Sequence, residues 1–100
     1  MGGFGTWYTA TAYPELFAAI VPCCGGGIAA FSTVLTMPIW TFHGLKDKIV
    51  SPNHTIEMVE KIKEFNPNLK YELFEDVGHH SWIKGFTPEV LSWMLSQKKA

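Results

Sequence analysis

One hundred residues, 47% of them hydrophobic and 17% charged, suffice for one small globular domain with a modest core and exclude an extended, disordered chain. The formal net charge of −1 and a pI near 6.4 leave no basic surplus for nucleic acid or an anionic membrane, so neither is expected as a partner. Pro14, Pro22, the Gly25-Gly26-Gly27 run and Pro38 cut the early apolar stretches well short of the roughly 18 residues of a membrane span. No basic leader precedes an apolar run, and the compartment of the full-length protein is left unknown.

In chain order, Met1-Gly2-Gly3-Phe4-Gly5-Thr6 precedes a helical stretch from Trp7 to Tyr13, which Pro14 ends by disfavouring α geometry at Tyr13. Glycines at such a start read either as a close backbone approach or as a loose terminus. Leu16-Phe17-Ala18-Ala19-Ile20-Val21 is apolar without alternation, the pattern of a strand covered on both faces. Cys23 and Cys24 are neighbours, between which a disulfide is sterically unfavourable, and they read as small apolar residues at that strand's end. A weakly patterned connection follows, with a short helix expected from Ala29 to Leu35.

Pro38-Ile39-Trp40-Thr41-Phe42 predicts the second strand, closed by His43-Gly44. Ser51-Pro52 is a helix start, with a capping side chain followed by a residue that has no N–H to leave unpaired. Ile56, Val59, Ile62 and Phe65, with Met58 beside them, predict an apolar stripe on a helix of about 14 residues that Asn66-Pro67 stops. Glu57 and Lys61 fall on its solvated side. Tyr71 to Phe74 is the third strand. Thr87-Pro88-Glu89 repeats the cap, with Leu91, Met94 and Leu95 as the stripe of a last helix and Lys98 and Lys99 at its negative end. Strands alternating with helices predict an α/β fold with three parallel strands and flanking helices in three αβα layers, residues 1–100 forming one domain.

Two loops then stand out. Asp47 follows the second strand and His79 the third, so if the strands are parallel neighbours, both loops leave the same sheet edge and a carboxylate can meet an imidazole there. Each has a plain alternative. Asp47 also reads as a loop-capping aspartate, His43 as a strand-end histidine bonded to backbone, His54 as a solvated helix residue and Asp76 as an exposed turn residue. A metal site of His43, Asp47, His79 and His80 is disfavoured, since adjacent histidines rarely share one ion and no helical H-x-x-x-H exists.

Taken together, Met1 to Trp7, Tyr13 to Ala19, Cys24 to Gly27, His43-Gly44-Leu45-Lys46-Asp47 and Gly78-His79-His80-Ser81-Trp82 resemble the C-terminal part of an α/β-hydrolase. The branch is that of prolyl-oligopeptidase-like and dienelactone-hydrolase-like esterases and predicted peptidases. The resemblance implies Asp47 as triad acid and His79, which directly follows the glycine, as triad base in preference to His80. It places Met1 just after the nucleophilic serine of a G-x-S-x-G elbow, as a backbone oxyanion donor, with the serine itself preceding the chain. Trp82 is implied as a candidate substrate wall. No cofactor or metal is implied. The expected partners are a small ester or peptide substrate of the complete protein, and the missing N-terminal part of the domain or a second copy. The expected chain is therefore inactive alone. A non-catalytic binding module built on the same truncated fold is the other reading, motivated by an unpaired first-strand edge.

Overall fold

The structure is a computed structural model that describes residues 2–27 and 29–98, without the side chains of residues 29–31, 82 and 83. Two parallel strands, β1 (Ile39–Gly44) and β2 (Leu69–Phe74), pair from Ile39 opposite Leu69 to Gly44 opposite Phe74. All six β1 residues are buried, as an unbroken apolar run predicts, whereas β2 exposes Lys70, Tyr71 and Glu72.

The first strand expected, at 16–21, is not formed as such. Pro14–Leu16 is a 3₁₀ turn, and the chain reaches the far side of β1 only as two isolated parallel bridges, Ile20 to Ile39 and Cys23 to Phe42. Both bridges share one register, and the reason the ladder is broken lies between them. Ile20 donates to Pro38 O and accepts from Trp40 N–H, while Pro22 O accepts from Phe42 N–H and Cys24 donates to Phe42 O. The remaining rung needs an N–H at position 22, which proline lacks.

α1 (Gly2–Ala12) begins five residues earlier than the stretch expected from Trp7 and runs through the glycines, which overturns the loose-terminus alternative. A methyl group at Gly3 would collide with the backbone of Cys23 and Gly25, so the helix starts with glycine because two backbones touch there. It ends before Tyr13, as Pro14 requires. Residues Ala29–Val34 form a 3₁₀ helix close to the short helix expected there.

α2 (Asn53–Ile62) is shorter than expected, and its buried residues are Thr55, Met58, Val59 and Ile62. Ile56 is only half-buried, because steps of three residues drift by about 60° each around a helix of 3.6 residues per turn, and Phe65 lies exposed in the turn beyond the helix end. Ser51 Oγ accepts from Asn53 N–H at 3.3 Å, but the cap position is Pro52, which offers no side-chain bond, so the helix starts one residue later than expected. Asn66, where the helix was expected to stop, is buried and donates through Nδ2 to Leu35 O and Met37 O at 2.9 and 2.8 Å. Trp7, Leu35, Ile39, Met58 and Ile62 make the centre of the core.

A four-residue helix, α3 (Trp82–Gly85), leads to α4 (Pro88–Ser96), whose Thr87 hydroxyl accepts from Val90 N–H at 3.2 Å as predicted. Its expected apolar stripe is not buried: Leu91 and Leu95 are 48% and 86% exposed, and the buried residue is Val90. Trp93 explains the rotation, since its ring packs edge-on against Trp40 of β1 at 5.4 Å. Lys98 lies beyond the last turn, and Lys99 is outside the described residues.

Candidate active site

The β1 and β2 ends that leave the sheet together carry the two loops singled out in the sequence. Gly44 closes β1, and a Cβ there would strike the carbonyls of Val77 and Gly78. Its absence lets the second loop cross directly over the strand end. Lys46 N–H then donates to Val77 O at 3.0 Å, Leu45 N–H to Phe74 O at 2.9 Å, and Asp47 N–H turns back onto Gly44 O at 3.1 Å. These bonds fix both loops to one edge and set their side chains face to face.

Asp47 Oδ2 lies 2.8 Å from His79 Nδ1. Asp47 Oδ1 accepts from Ile49 N–H at 2.9 Å and from Val50 N–H at 2.8 Å. Burial alone would raise this carboxyl's pKa, but the Val50 N–H, the His79 ring and the Ile49 N–H outweigh it and hold the group below its ordinary value of 3.8. The Asp47 side chain is fully sealed while that of His79 is 26% exposed, so the pair has a buried anionic end and an accessible imidazole end. Because a carboxylate only accepts, Nδ1 carries the proton and Nε2 is left as the basic nitrogen.

Beside the pair is a cavity of about 330 Å³, walled by Gly2 and Gly3 of the first turn of α1, by Cys23 and Cys24, and by His79 and Phe86. Cys24 is buried in left-handed backbone geometry, its thiol against the Ser81 hydroxyl and 3.5 Å from His79 O. Burial pushes the Cys23 thiol up to about 12, although a hydrogen bond with Ser81 acts the other way. Both cysteines line the cavity, at the end of the segment that bridges to β1. Sequence reasoning did not place either of them beside His79. Cys24, Asp47 and His79 offer metal-ligating atoms within 4.8 Å of one another, and of these Asp47 Oδ2 and His79 Nδ1 are bonded to each other.

No family model and no curated protein matches this sequence. A solved structure does. The crystal structure of a thermostable esterase superposes on 96% of the chain with a TM-score of 0.90 and 33% sequence identity. The chain spans 28% of that esterase's length. Its fold is accordingly that of part of an esterase-like hydrolase.

Of the remaining expected site residues, Met1 and the Trp82 side chain lie outside the described residues. Asp76 is an exposed turn residue 3.8 Å from Lys46 Nζ, and His54 is exposed on α2 with its ring edge-on to Phe4. His80 is exposed and His79 is the histidine that meets Asp47. His43 makes the backbone contact expected of it, with Val50 O, and also approaches Asp47 at 3.2 Å, which was not anticipated. The spacing of four between His43 and Asp47 across a glycine turn was the signal available for it.

Proposed function

We propose that this chain carries the acid and base of a serine hydrolase that cleaves carboxylic esters through an acyl-enzyme. The observation that carries the reading is the sealed Asp47 carboxylate bonded to a half-open His79 at the lip of a cavity. In this mechanism His79 Nε2 takes the proton from a nucleophilic hydroxyl as it attacks the ester carbon, then returns it to the departing alcohol. Asp47 holds the ring in the required tautomer and stabilises the imidazolium formed on the way. The nucleophile comes from outside these 100 residues. Of the serines here, Ser51 precedes α2, Ser81 is held against the Cys24 thiol and Ser96 is bonded to Trp93 O within α4. The esterase similarity favours an ester over a peptide bond as substrate; the prolyl-oligopeptidase-like and dienelactone-hydrolase-like branch is proposed on the sequence motifs alone.

The test is a chain extended upstream, assayed with p-nitrophenyl acetate and labelled with a fluorophosphonate. Labelling is expected on an upstream serine and on none of the serines here. Asp47→Asn should lower kcat by up to about 10⁴, the order seen when a triad acid loses its charge. Labelling within residues 2–98, or full activity in Asp47→Asn, would overturn the proposal.

A second reading, a non-catalytic interaction module, draws on the 20–24 segment. Ile20, Pro22 and Cys24 direct their backbone groups to β1, so those of Val21 face the opposite way, where a further strand can pair, while the Cys23 carbonyl packs on Gly3 of α1. That strand is either the rest of the hydrolase domain or a second copy.

A further inference from the structure

His43 is fully buried, and every polar atom of its ring is engaged. Nε2 lies 2.8 Å from Val50 O and 3.2 Å from Asp47 Oδ2. A carbonyl only accepts, so Nε2 carries a proton directed to Val50 O, and the carboxylate oxygen that receives His79 lies close beside that N–H. On the other side, Nδ1 is 2.8 Å from Thr55 Oγ1, and the same buried hydroxyl lies 2.8 Å from Gly25 O, so its one proton is shared between that nitrogen and that carbonyl. Gly25 in turn is pressed backbone to backbone on Gly3 and Phe4, where any side chain would collide. The contacts therefore run without a gap from the α1 wall of the cavity, through Gly25, Thr55 and His43, to Asp47 and His79.

We propose that His43 is a positioning residue: with Thr55 and Gly25 it forms a buried strut that ties the α1 wall of the cavity to Asp47 and keeps the Asp47–His79 pair in line. The strut also explains the shape of the 47–50 loop. Asp47 Oδ1 is occupied by the Ile49 and Val50 N–H groups, and His43 holds the carbonyl of the same Val50, so the carboxylate cannot rotate without releasing the loop. A core histidine that merely filled space would need no ring nitrogen 3.2 Å from a carboxylate already accepting from three donors.

The inference rests on the reading of Asp47 and His79 as an acid–base pair, and its test reads that pair directly rather than through activity. In the 100-residue chain, the exchangeable His79 Nδ1 proton is followed by ¹H–¹⁵N NMR, with the fold monitored by far-UV circular dichroism. His43→Leu and Thr55→Val should each speed its exchange with solvent by about tenfold, the equivalent of one charge-assisted hydrogen bond. His43→Gln and Thr55→Ser, which keep a donor and a hydroxyl, should restore slow exchange. Ile62→Val, a core change away from the strut, should leave it unmoved. Unchanged exchange in a folded Thr55→Val chain, or an equal effect from Ile62→Val, would overturn the strut while leaving the pair intact. If His43→Leu fails to fold, the Thr55 variants decide alone. Absence of a protected Nδ1 proton in the parent chain would overturn the pair and the strut together.

Discussion

Asp47 concentrates most of the chemistry in one side chain: two backbone N–H groups on one oxygen, His79 and His43 on the other. Its depressed pKa has a thermodynamic consequence with a definite sign. A carboxyl that titrates lower folded than unfolded stabilises the fold above its ordinary value of 3.8, and that contribution is lost as pH falls through the folded value. Urea unfolding midpoints should therefore drop below pH 4 in the parent chain, with a shallower drop in Asp47→Asn; parallel profiles would show that this carboxyl is not the group responsible. Cys23 makes the opposite case. With its thiol pushed up to about 12 by burial, iodoacetamide at pH 8 should modify it at least about tenfold more slowly in the folded chain than in urea. Equal rates would mean that the thiol is open. Asp47 and His79 were legible because each follows a strand and a glycine at the same sheet edge. His43, Thr55 and Cys24 were not, because what matters in them is the partner, and those partners lie on other elements.

At the scale of elements, the caps and turns were easier to read than the faces. Thr87-Pro88 states its role in two adjacent residues, and that helix starts where expected with its cap in place, while Ser51-Pro52 marks the start of α2 to within one residue. Thr87→Ala should cost about 1 kcal/mol, the ordinary value of a capping hydroxyl, measurable by urea unfolding; a neutral result would mean that Pro88 alone sets the start. Faces depend on what packs against them. On α4 the sequence offers Leu91, Met94 and Leu95, yet Trp93 meets Trp40 and turns the helix so that Leu95 faces outward. The first strand failed for a reason visible only once its neighbour is known, since Pro22 removes the one rung that would have joined the two bridges. Gly44 is the element-scale residue on which the site depends. Gly44→Ala drives a methyl group into the Val77 and Gly78 carbonyls, and a clash with two backbone groups should destabilise the chain by about 2 kcal/mol or more. It should also shift the His79 resonances, as the loop has nowhere to go but away from Asp47. Unperturbed His79 signals would show that the loop is held by something other than its passage over Gly44.

For the whole molecule, the two edges of the sheet are unequal, and the difference bears on what the chain does in solution. The outer edge, along β2, presents exposed Lys70 and Glu72, charged side chains of the kind that discourage pairing with another strand. The edge along 20–24 has no such protection: Val21, Pro22, Cys23 and Cys24 carry no charge, and although Gly3 of α1 covers the Cys23 carbonyl, the outward backbone groups of Val21 are suited to accept a strand. Association of this chain should accordingly run through the second edge. Size-exclusion chromatography with light scattering should show a mass that rises with concentration. Val21→Pro, which removes an outward N–H but none of the bonds to β1, should shift that equilibrium toward monomer. Lys70→Ala, on the other edge, should not. A strictly monomeric parent chain at all concentrations would show that the 20–24 edge does not recruit a second copy, and would leave the rest of a hydrolase domain as its natural neighbour. Loss of association in Lys70→Ala but not in Val21→Pro would move the interface to β2.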